Sequence, residues 1–174
     1  MNKVLTDESG NRFDFSESVN AQMGDIYAFH DLPSVDFVVE TDDNILFIEV
    51  KNPDDANARE ENRSRFLSDL ANKFYPHKLG EKYKSMLLTK WATGDFYAKP
   101  IICIFVLEFS AFSKSERGKL KEKLLCRTPL SLNRAEFGGR KHFEKRFELL
   151  SFGEFCKMFP TFSIDKADSV GGDG

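Results

Sequence analysis

Metal-binding and disulfide-forming side chains are scarce: the 174 residues include only three cysteines and three histidines. Cys103, Cys126 and Cys156 are too far apart for a Cys-x-x-Cys site, and their odd number argues against a disulfide framework. The three histidines are equally scattered. We therefore expect no structural zinc site and no fold that depends on disulfide bonds.

Long apolar runs are also missing. No segment reaches the length of a membrane span, and the first twenty residues are polar and acidic. No internal repeat, P-loop glycine motif or nucleophile elbow is present either. The content of 41% hydrophobic and 30% charged residues is typical of globular proteins. We expect a cytoplasmic protein without a membrane partner, with one domain over residues 1–168 and a flexible tail at residues 169–174.

Two short apolar segments separated by a polar turn dominate the first half of the chain. Residues 35–40 and 45–50 are rich in Val, Ile and Phe, whereas residues 41–44 (Thr-Asp-Asp-Asn) have the composition of a hairpin turn. We therefore predict two antiparallel strands that lie side by side.

Three charged residues lie at the open end of this predicted hairpin. Asp36 comes early in the first strand, and Glu49 and Lys51 come late in the second. Side chains alternate across a strand, so Glu49 and Lys51 point to one face and Val50 points to the other. An ordinary exposed hairpin would carry the same charges. The apolar residues around Glu49 instead favour burial, where unpaired carboxylates are rare.

Two carboxylates held close together repel each other unless a cation lies between them. Carboxylate oxygens suit Mg²⁺ or Mn²⁺, so we predict a metal site formed by Asp36 and Glu49, with the backbone carbonyl of Val50 as a further ligand. Lys51 would hold or help to deprotonate a water molecule and offset the charge of a phosphate under attack. These residue types indicate metal-dependent phosphodiester hydrolysis.

The segments Pro33-Ser34-Val35-Asp36 and Glu49-Val50-Lys51 resemble the motif of the PD-(D/E)XK nucleases. In that family an Asp on one strand of a hairpin is followed by (Asp/Glu)-x-Lys on the next. Two residues separate Pro33 from Asp36, so the first part of the motif is imperfect here. Glu49-Val50-Lys51 is the only triplet of its kind in the chain. The resemblance extends over roughly residues 15–110.

This resemblance implies an α/β protein with the restriction-endonuclease-like fold, in which helices flank a central mixed β-sheet. It implies a Mg²⁺-dependent endonuclease, with Mn²⁺ as a substitute metal, DNA as the expected partner, and a homodimer if both strands of a duplex are cut. Members often add a carboxylate from the first helix; Glu17 and Asp25 are the candidates, although both lie off the predicted apolar stripe. The helix after the motif strand often presents a basic or amide side chain, and Lys73 is the candidate.

Charge is unevenly distributed along the chain, whose net charge is −3. Residues 1–62 contain 4 basic and 15 acidic side chains, whereas residues 63–148 contain 19 basic and 9 acidic ones. An acidic half that binds metal and a basic half that contacts phosphates fit a nuclease. Basic residues spread over solvated helices would give the same distribution.

Periodicity predicts the remaining elements. The apolar run at residues 100–107 should be the central strand of the sheet, reached from the hairpin by a helical crossover. The other predicted elements are a helix from residue 14 or 16 to residue 30, helices within 56–88, a basic helix at 113–125, a loop at 126–140, an edge strand within 141–150 and a short helix at 151–159.

Two other functions fit the same residues. A catalytically silent protein could keep this fold and bind nucleic acid or another protein, and a metal-dependent hydrolase could act on a smaller phosphoester. The complete set of Asp36, Glu49 and Lys51 favours an active nuclease over the silent protein.

Overall fold

A computed structural model describes residues 3–27, 32–55, 59–72, 74–93, 99–127 and 145–166. Over these ranges the chain is a mixed α/β protein with a five-stranded mixed sheet and a three-stranded antiparallel sheet. The strands are β1 (Val4–Thr6), β2 (Arg12–Asp14), β3 (Asn20–Met23), β4 (Phe37–Glu40), β5 (Ile45–Lys51), β6 (Ile101–Leu107), β7 (Lys145–Leu150) and β8 (Ser163–Asp165). The α-helices are α1 (Glu60–Ala71), α2 (Phe74–Ala92), α3 (Lys114–Leu125) and α4 (Phe152–Met158).

The predicted hairpin is confirmed. β4 and β5 pair antiparallel with Phe37 opposite Ile48 and Glu40 opposite Ile45. The turn closes because the Thr41 N–H donates to the Asn44 carbonyl and the Asn44 N–H donates to Thr41 Oγ1, both at 2.9 Å. This side chain to backbone bond is the turn chemistry expected of a Thr at that position.

The large sheet has the order β3-β4-β5-β6-β7, with β3, β4 and β5 mutually antiparallel and β5, β6 and β7 mutually parallel. α1 and α2 form the crossover from β5 to β6, and α3 connects β6 to β7. The predicted helical crossover and the edge position of β7 are therefore confirmed. The prediction that residues 100–107 form the central strand is wrong. β5 is the middle strand, because β6 and β7 lie on one side of it and β4 and β3 on the other.

Each face of the large sheet is covered by apolar side chains. One face packs against α1, α2 and α3 and includes Val38, Phe47, Leu79, Tyr83, Phe105 and Leu120. The opposite face packs against α4 and the small sheet and includes Phe13, Phe37, Ile48, Ile104, Phe155 and Phe162. Full burial of one such side chain contributes about 1.5–3 kcal/mol. β5 is covered on both faces, so its polar residues need partners within the protein.

The predicted helix from residue 14 to residue 30 is wrong over the described part, residues 14–27. That segment holds the end of β2, a turn, β3 and a short 3-10 helix at Gly24–Tyr27. β3 forms because the free edge of β4 offers backbone partners from Asn20 opposite Glu40 to Met23 opposite Phe37. Tertiary pairing thus overrides a local spacing that fits a helix equally well.

Two predicted helix starts are confirmed by their caps. Ser113 and Glu116 form a capping box at the start of α3, and Ser151 and Glu154 form one at the start of α4. The predicted tail and most of the predicted loop at 126–140 lie outside the described residues. In the described part of the chain, no helix combines the length and the apolar character that crossing a membrane requires.

Candidate functional site

Asp36 lies at the end of the ladder between β4 and β5. The register places it directly opposite Glu49, one step beyond the pair of Phe37 and Ile48. Its Oδ2 accepts a 2.7 Å hydrogen bond from the N–H of Val50. The Asp36 carboxylate therefore takes the role that a backbone carbonyl would play if the ladder continued, and it is fixed against the second motif segment.

Gly24 sets the position of the chain before Asp36. Its N–H donates to the Asp36 carbonyl at 2.9 Å. A Cβ at Gly24 would clash with the carbonyl oxygen of Val35. Only glycine permits this close approach, which turns the Val35 carbonyl toward Gly24.

Glu49 is only 1% exposed, although it carries a carboxylate. Both of its oxygens accept hydrogen bonds from Lys82 Nζ, at 2.7 and 2.8 Å. The hydroxyl of Tyr75 donates to Glu49 Oε1 at 3.4 Å, and Lys51 Nζ lies 3.4 Å from the same oxygen. The two strands and α2 therefore bring Asp36, Glu49, Lys51 and Lys82 together on the face covered by α1, α2 and α3.

Burial and a neighbouring negative charge both disfavour the ionised form of the Glu49 carboxyl. Burial raises the pKa of its carboxyl most and the neighbouring Asp36 raises it further, against the opposing effect of Lys51 and Lys82. Burial opposes the charge on Lys51, but Glu49, Asp36 and Glu8 together outweigh it and raise the pKa of the Lys51 ammonium. Lys51 therefore stays protonated at neutral pH.

A cavity of about 420 Å³ opens beside these residues. Asp36, Val50 and Lys51 line it, whereas Glu49, which is only 1% exposed, is not among the lining residues. The other lining residues are Asp7, Glu8, Ser9, Asn52, Pro53, Asp55, Arg59, Asn62, Arg63 and Phe66. Asp36 and Lys51 are therefore accessible to a molecule that enters the cavity, whereas Glu49 is shielded from water.

Two of the three accessory residues suggested by the family resemblance, Glu17 and Asp25, do not line this cavity. Glu17 is an exposed turn residue between β2 and β3, and Asp25 is an exposed residue of the 3-10 helix. Both side chains face solvent, as their positions off the predicted apolar stripe favoured, and the helix predicted to carry them is absent over residues 14–27. Lys73 lies outside the described residues.

The basic residue from the crossover is Lys82, which the sequence analysis missed. It is separated from Glu49 by 33 positions, so no local motif joins them. One signal was available. Lys82 occurs at helical spacing with Tyr75, Leu79 and Met86, all of which are buried, and a Lys on the apolar stripe of a helix needs an anionic partner.

Two acidic residues at the cavity come from the first turn of the chain. The carboxylate of Asp7 accepts 2.9 Å hydrogen bonds from the Ser9 and Asn11 N–H groups and from Asn11 Nδ2. These bonds give Asp7 a role in the turn. Burial raises the pKa of Asp7 most, and repulsion by Asp36 adds to it. Glu8 is exposed and lies 3.9 Å from Lys51 Nζ.

The oxygen donors at the cavity and next to its lining residues are of the kind that Mg²⁺ prefers. Asp36 and Glu49 supply carboxylates, and the side-chain oxygen of Asn52 is buried without a hydrogen-bond partner among the described residues. No cluster of three or more His, Cys, Asp or Glu side chains suited to a metal occurs in the part of the chain described. The donor set therefore fits a cation that keeps several waters, and Lys82 competes with it for Glu49.

Comparison of the chain with protein-family models, with curated proteins and with solved structures finds no match in any of the three. The geometry of this site and the motif in the sequence are therefore the two observations that bear on function.

Proposed function

We propose that this protein is a metal-dependent nuclease of the restriction-endonuclease-like fold that hydrolyses phosphodiester bonds, with DNA as the expected substrate. One observation carries the proposal: Asp36, Glu49 and Lys51 lie on one face at one end of the β4–β5 hairpin, beside an open cavity. The mixed sheet, with a helical crossover after the motif strand, supports the same interpretation.

Each residue has a role that follows from its chemistry. Asp36 and Glu49, with the Val50 carbonyl and the Asn52 side-chain oxygen as further donors, would hold Mg²⁺ or Mn²⁺. When bound, such an ion supplies Lewis acidity toward phosphate oxygens. Lys51 is an ammonium at neutral pH because its pKa is raised. As an ammonium it donates to an attacking water or to the charge that develops on the phosphate.

Lys82 and Tyr75 support the site from α2. The bidentate contact of Lys82 fixes the rotamer of Glu49, and the Tyr75 hydroxyl fills a further acceptor position of the same oxygen. Burial and the nearby carboxylates raise the pKa of Tyr75 well above its usual value, so its hydroxyl remains a donor. These contacts hold Glu49 in one orientation before any ion binds.

One observation favours a silent binding protein as the second candidate. Glu49 already contacts two ammonium groups, Lys51 and Lys82, so its charge is balanced within the protein. A carboxylate balanced in this way does not require a cation. In this second function the cavity binds nucleic acid or a protein partner, and no bond is cut.

The test is cleavage of DNA and RNA, single-stranded and duplex, with and without Mn²⁺. Wild-type protein should cut nucleic acid only with metal, and Asp36→Asn should abolish both cleavage and Mn²⁺ binding measured by calorimetry. Glu148→Gln is the matched control, because Glu148 is another buried carboxylate of the same sheet. It should retain both properties. Wild-type protein that binds no Mn²⁺ would exclude the nuclease.

A further inference from the structure

The cavity has a basic side as well as an acidic one. Arg59, Asn62, Arg63 and Phe66 line it from the start of α1, facing the strand ends that carry Asp36 and Lys51. Their spacing of three or four residues places them along one side of the helix. The Lys51 ammonium therefore shares a single space with two guanidinium groups.

The two arginines differ in how they are held. Arg63 lies 3.9 Å from Asp54 Oδ1 and sits over the ring of Phe109, with 5.7 Å from its Cζ to the ring centroid. These contacts orient the Arg63 guanidinium beside the cavity. Among the described residues, the Arg59 side chain forms no ion pair or hydrogen bond. Its planar guanidinium group matches the geometry of a phosphate.

We propose that Arg59, Asn62 and Arg63 form a binding site for a backbone phosphate of a nucleic acid strand, next to the phosphate that lies at Lys51. This inference rests on the proposed function, which places another phosphate of the same strand at Lys51. Binding of a phosphate by Arg59, Asn62 and Arg63 does not itself require cleavage. Guanidinium and amide groups donate hydrogen bonds to phosphate oxygens, whereas the acidic side of the cavity repels a phosphate. A strand is therefore held by α1 while its next phosphate faces Asp36 and Lys51.

Arg59, Asn62 and Arg63 should therefore affect the binding of the strand, and Asp36 and Lys51 should affect its cleavage. Removal of a group that contacts the substrate away from the reacting atoms weakens ground state and transition state equally, which raises KM and leaves kcat unchanged. Each lost phosphate contact also lowers the dependence of binding on salt, because fewer counterions are released.

The test uses the full chain and fluorescently labelled DNA, single-stranded and duplex, in EDTA so that no cleavage occurs. Arg59→Ala should raise the Kd about tenfold, the loss expected for one charged hydrogen-bond pair, and lower the slope of log Kd against log salt by about one. Arg65→Ala is the matched control, because Arg65 is an exposed arginine of the same helix that does not line the cavity. It should change neither quantity appreciably. Arg59→Lys keeps the charge and should recover most of the salt slope but only part of the affinity.

Equal effects of Arg59→Ala and Arg65→Ala on the Kd would overturn the inference, and so would the absence of DNA binding by the wild-type protein. The proposed nuclease is tested separately by cleavage with Mn²⁺. If the protein binds DNA through Arg59 and cuts nothing, the phosphate site stands and the nuclease fails. If the Arg59→Ala and Arg65→Ala variants cut DNA with the same KM, the proposed nuclease is supported and the proposed phosphate site is wrong.

Discussion

Glu49 and Glu148 lie in the same sheet, on β5 and β7, and each faces two basic side chains. Glu49 contacts Lys82 and Lys51, and Glu148 accepts hydrogen bonds from Lys121, at 2.9 Å, and from Arg146. Their acidities shift in opposite directions. The pKa of Glu49 is raised, whereas hydrogen bonds from Lys121 and Arg146 overcome burial and lower the pKa of Glu148.

The contrast shows that an ion pair alone does not make a functional site. Glu49 is 1% exposed and Glu148 is 9% exposed, so the Glu49 carboxylate loses more of its hydration. Asp36 adds a second negative charge beside Glu49. Asp36 and Lys51, the charged neighbours of Glu49, line the cavity, whereas neither Glu148 nor its partners Lys121 and Arg146 line it. A destabilised carboxylate with a like-charged neighbour at a cavity is the arrangement expected of a functional site, and Glu148 has the arrangement of a structural pair.

The largest expected difference between the two sites is in activity. Lys51→Ala should lower Mn²⁺-dependent cleavage by roughly 10²–10³-fold, because it removes a donor aimed at the developing charge. Lys121→Ala removes the corresponding partner of Glu148 and should leave the rate unchanged. Single-turnover cleavage measures both. Equal rates in the two variants would remove Lys51 from the chemistry.

The second difference is in stability. Lys82→Ala leaves Glu49 buried with one cation fewer, and we expect the free energy of unfolding to fall by about 2 kcal/mol, below the loss for a fully buried pair because the Lys82 side chain is 24% exposed. Lys121 is 39% exposed, so Lys121→Ala should cost at most about 1 kcal/mol. Urea unfolding in EDTA measures both losses. The double variant Lys82→Ala with Glu49→Gln should recover part of the loss, and its failure to do so would mean that Lys82 acts through packing.

The smallest expected difference is in the pH dependence of stability. Glu49 has a folded pKa above the 4.5 of the unfolded chain, so its contribution to stability falls as pH rises from 4.5 through the folded value. Glu148 has a folded pKa below 4.5, so its contribution is present above 4.5 and is lost as pH falls through the folded value.

Glu49→Gln and Glu148→Gln should each remove one of these contributions. Relative to wild type, the unfolding free energy of Glu49→Gln should rise with pH, and that of Glu148→Gln should fall. Urea unfolding over the acid range measures both differences. Trends of the same sign would contradict the assigned pKa directions.

The sequence predicts those parts of the fold whose signals are local. The hairpin at residues 37–51 combines two apolar runs with a Thr-to-Asn turn, and α3 and α4 each begin with a Ser and a Glu three residues later. Asp36, Glu49 and Lys51 follow from the hairpin, because pairing and alternation decide which side chains meet.

Other parts depend on contacts between distant segments. β3 and the small sheet consist of strands of three or four residues, which form because partners are in place and not because of their own composition. Lys82 meets Glu49 only after α2 packs on the sheet, and Arg59 reaches the same cavity from α1. Periodicity predicts such helices but not which of their polar side chains will meet the site.

Gly24 has a consequence for how variants of this protein should be interpreted. It does not line the cavity, yet any side chain at this position must displace the Val35 carbonyl and with it the segment that carries Asp36. In a screen of random substitutions, position 24 would therefore be recovered together with Asp36. The sensitivity of position 24 would report the close approach of two backbone segments, and a map of the site based on such a screen alone would include one residue that does not belong to it.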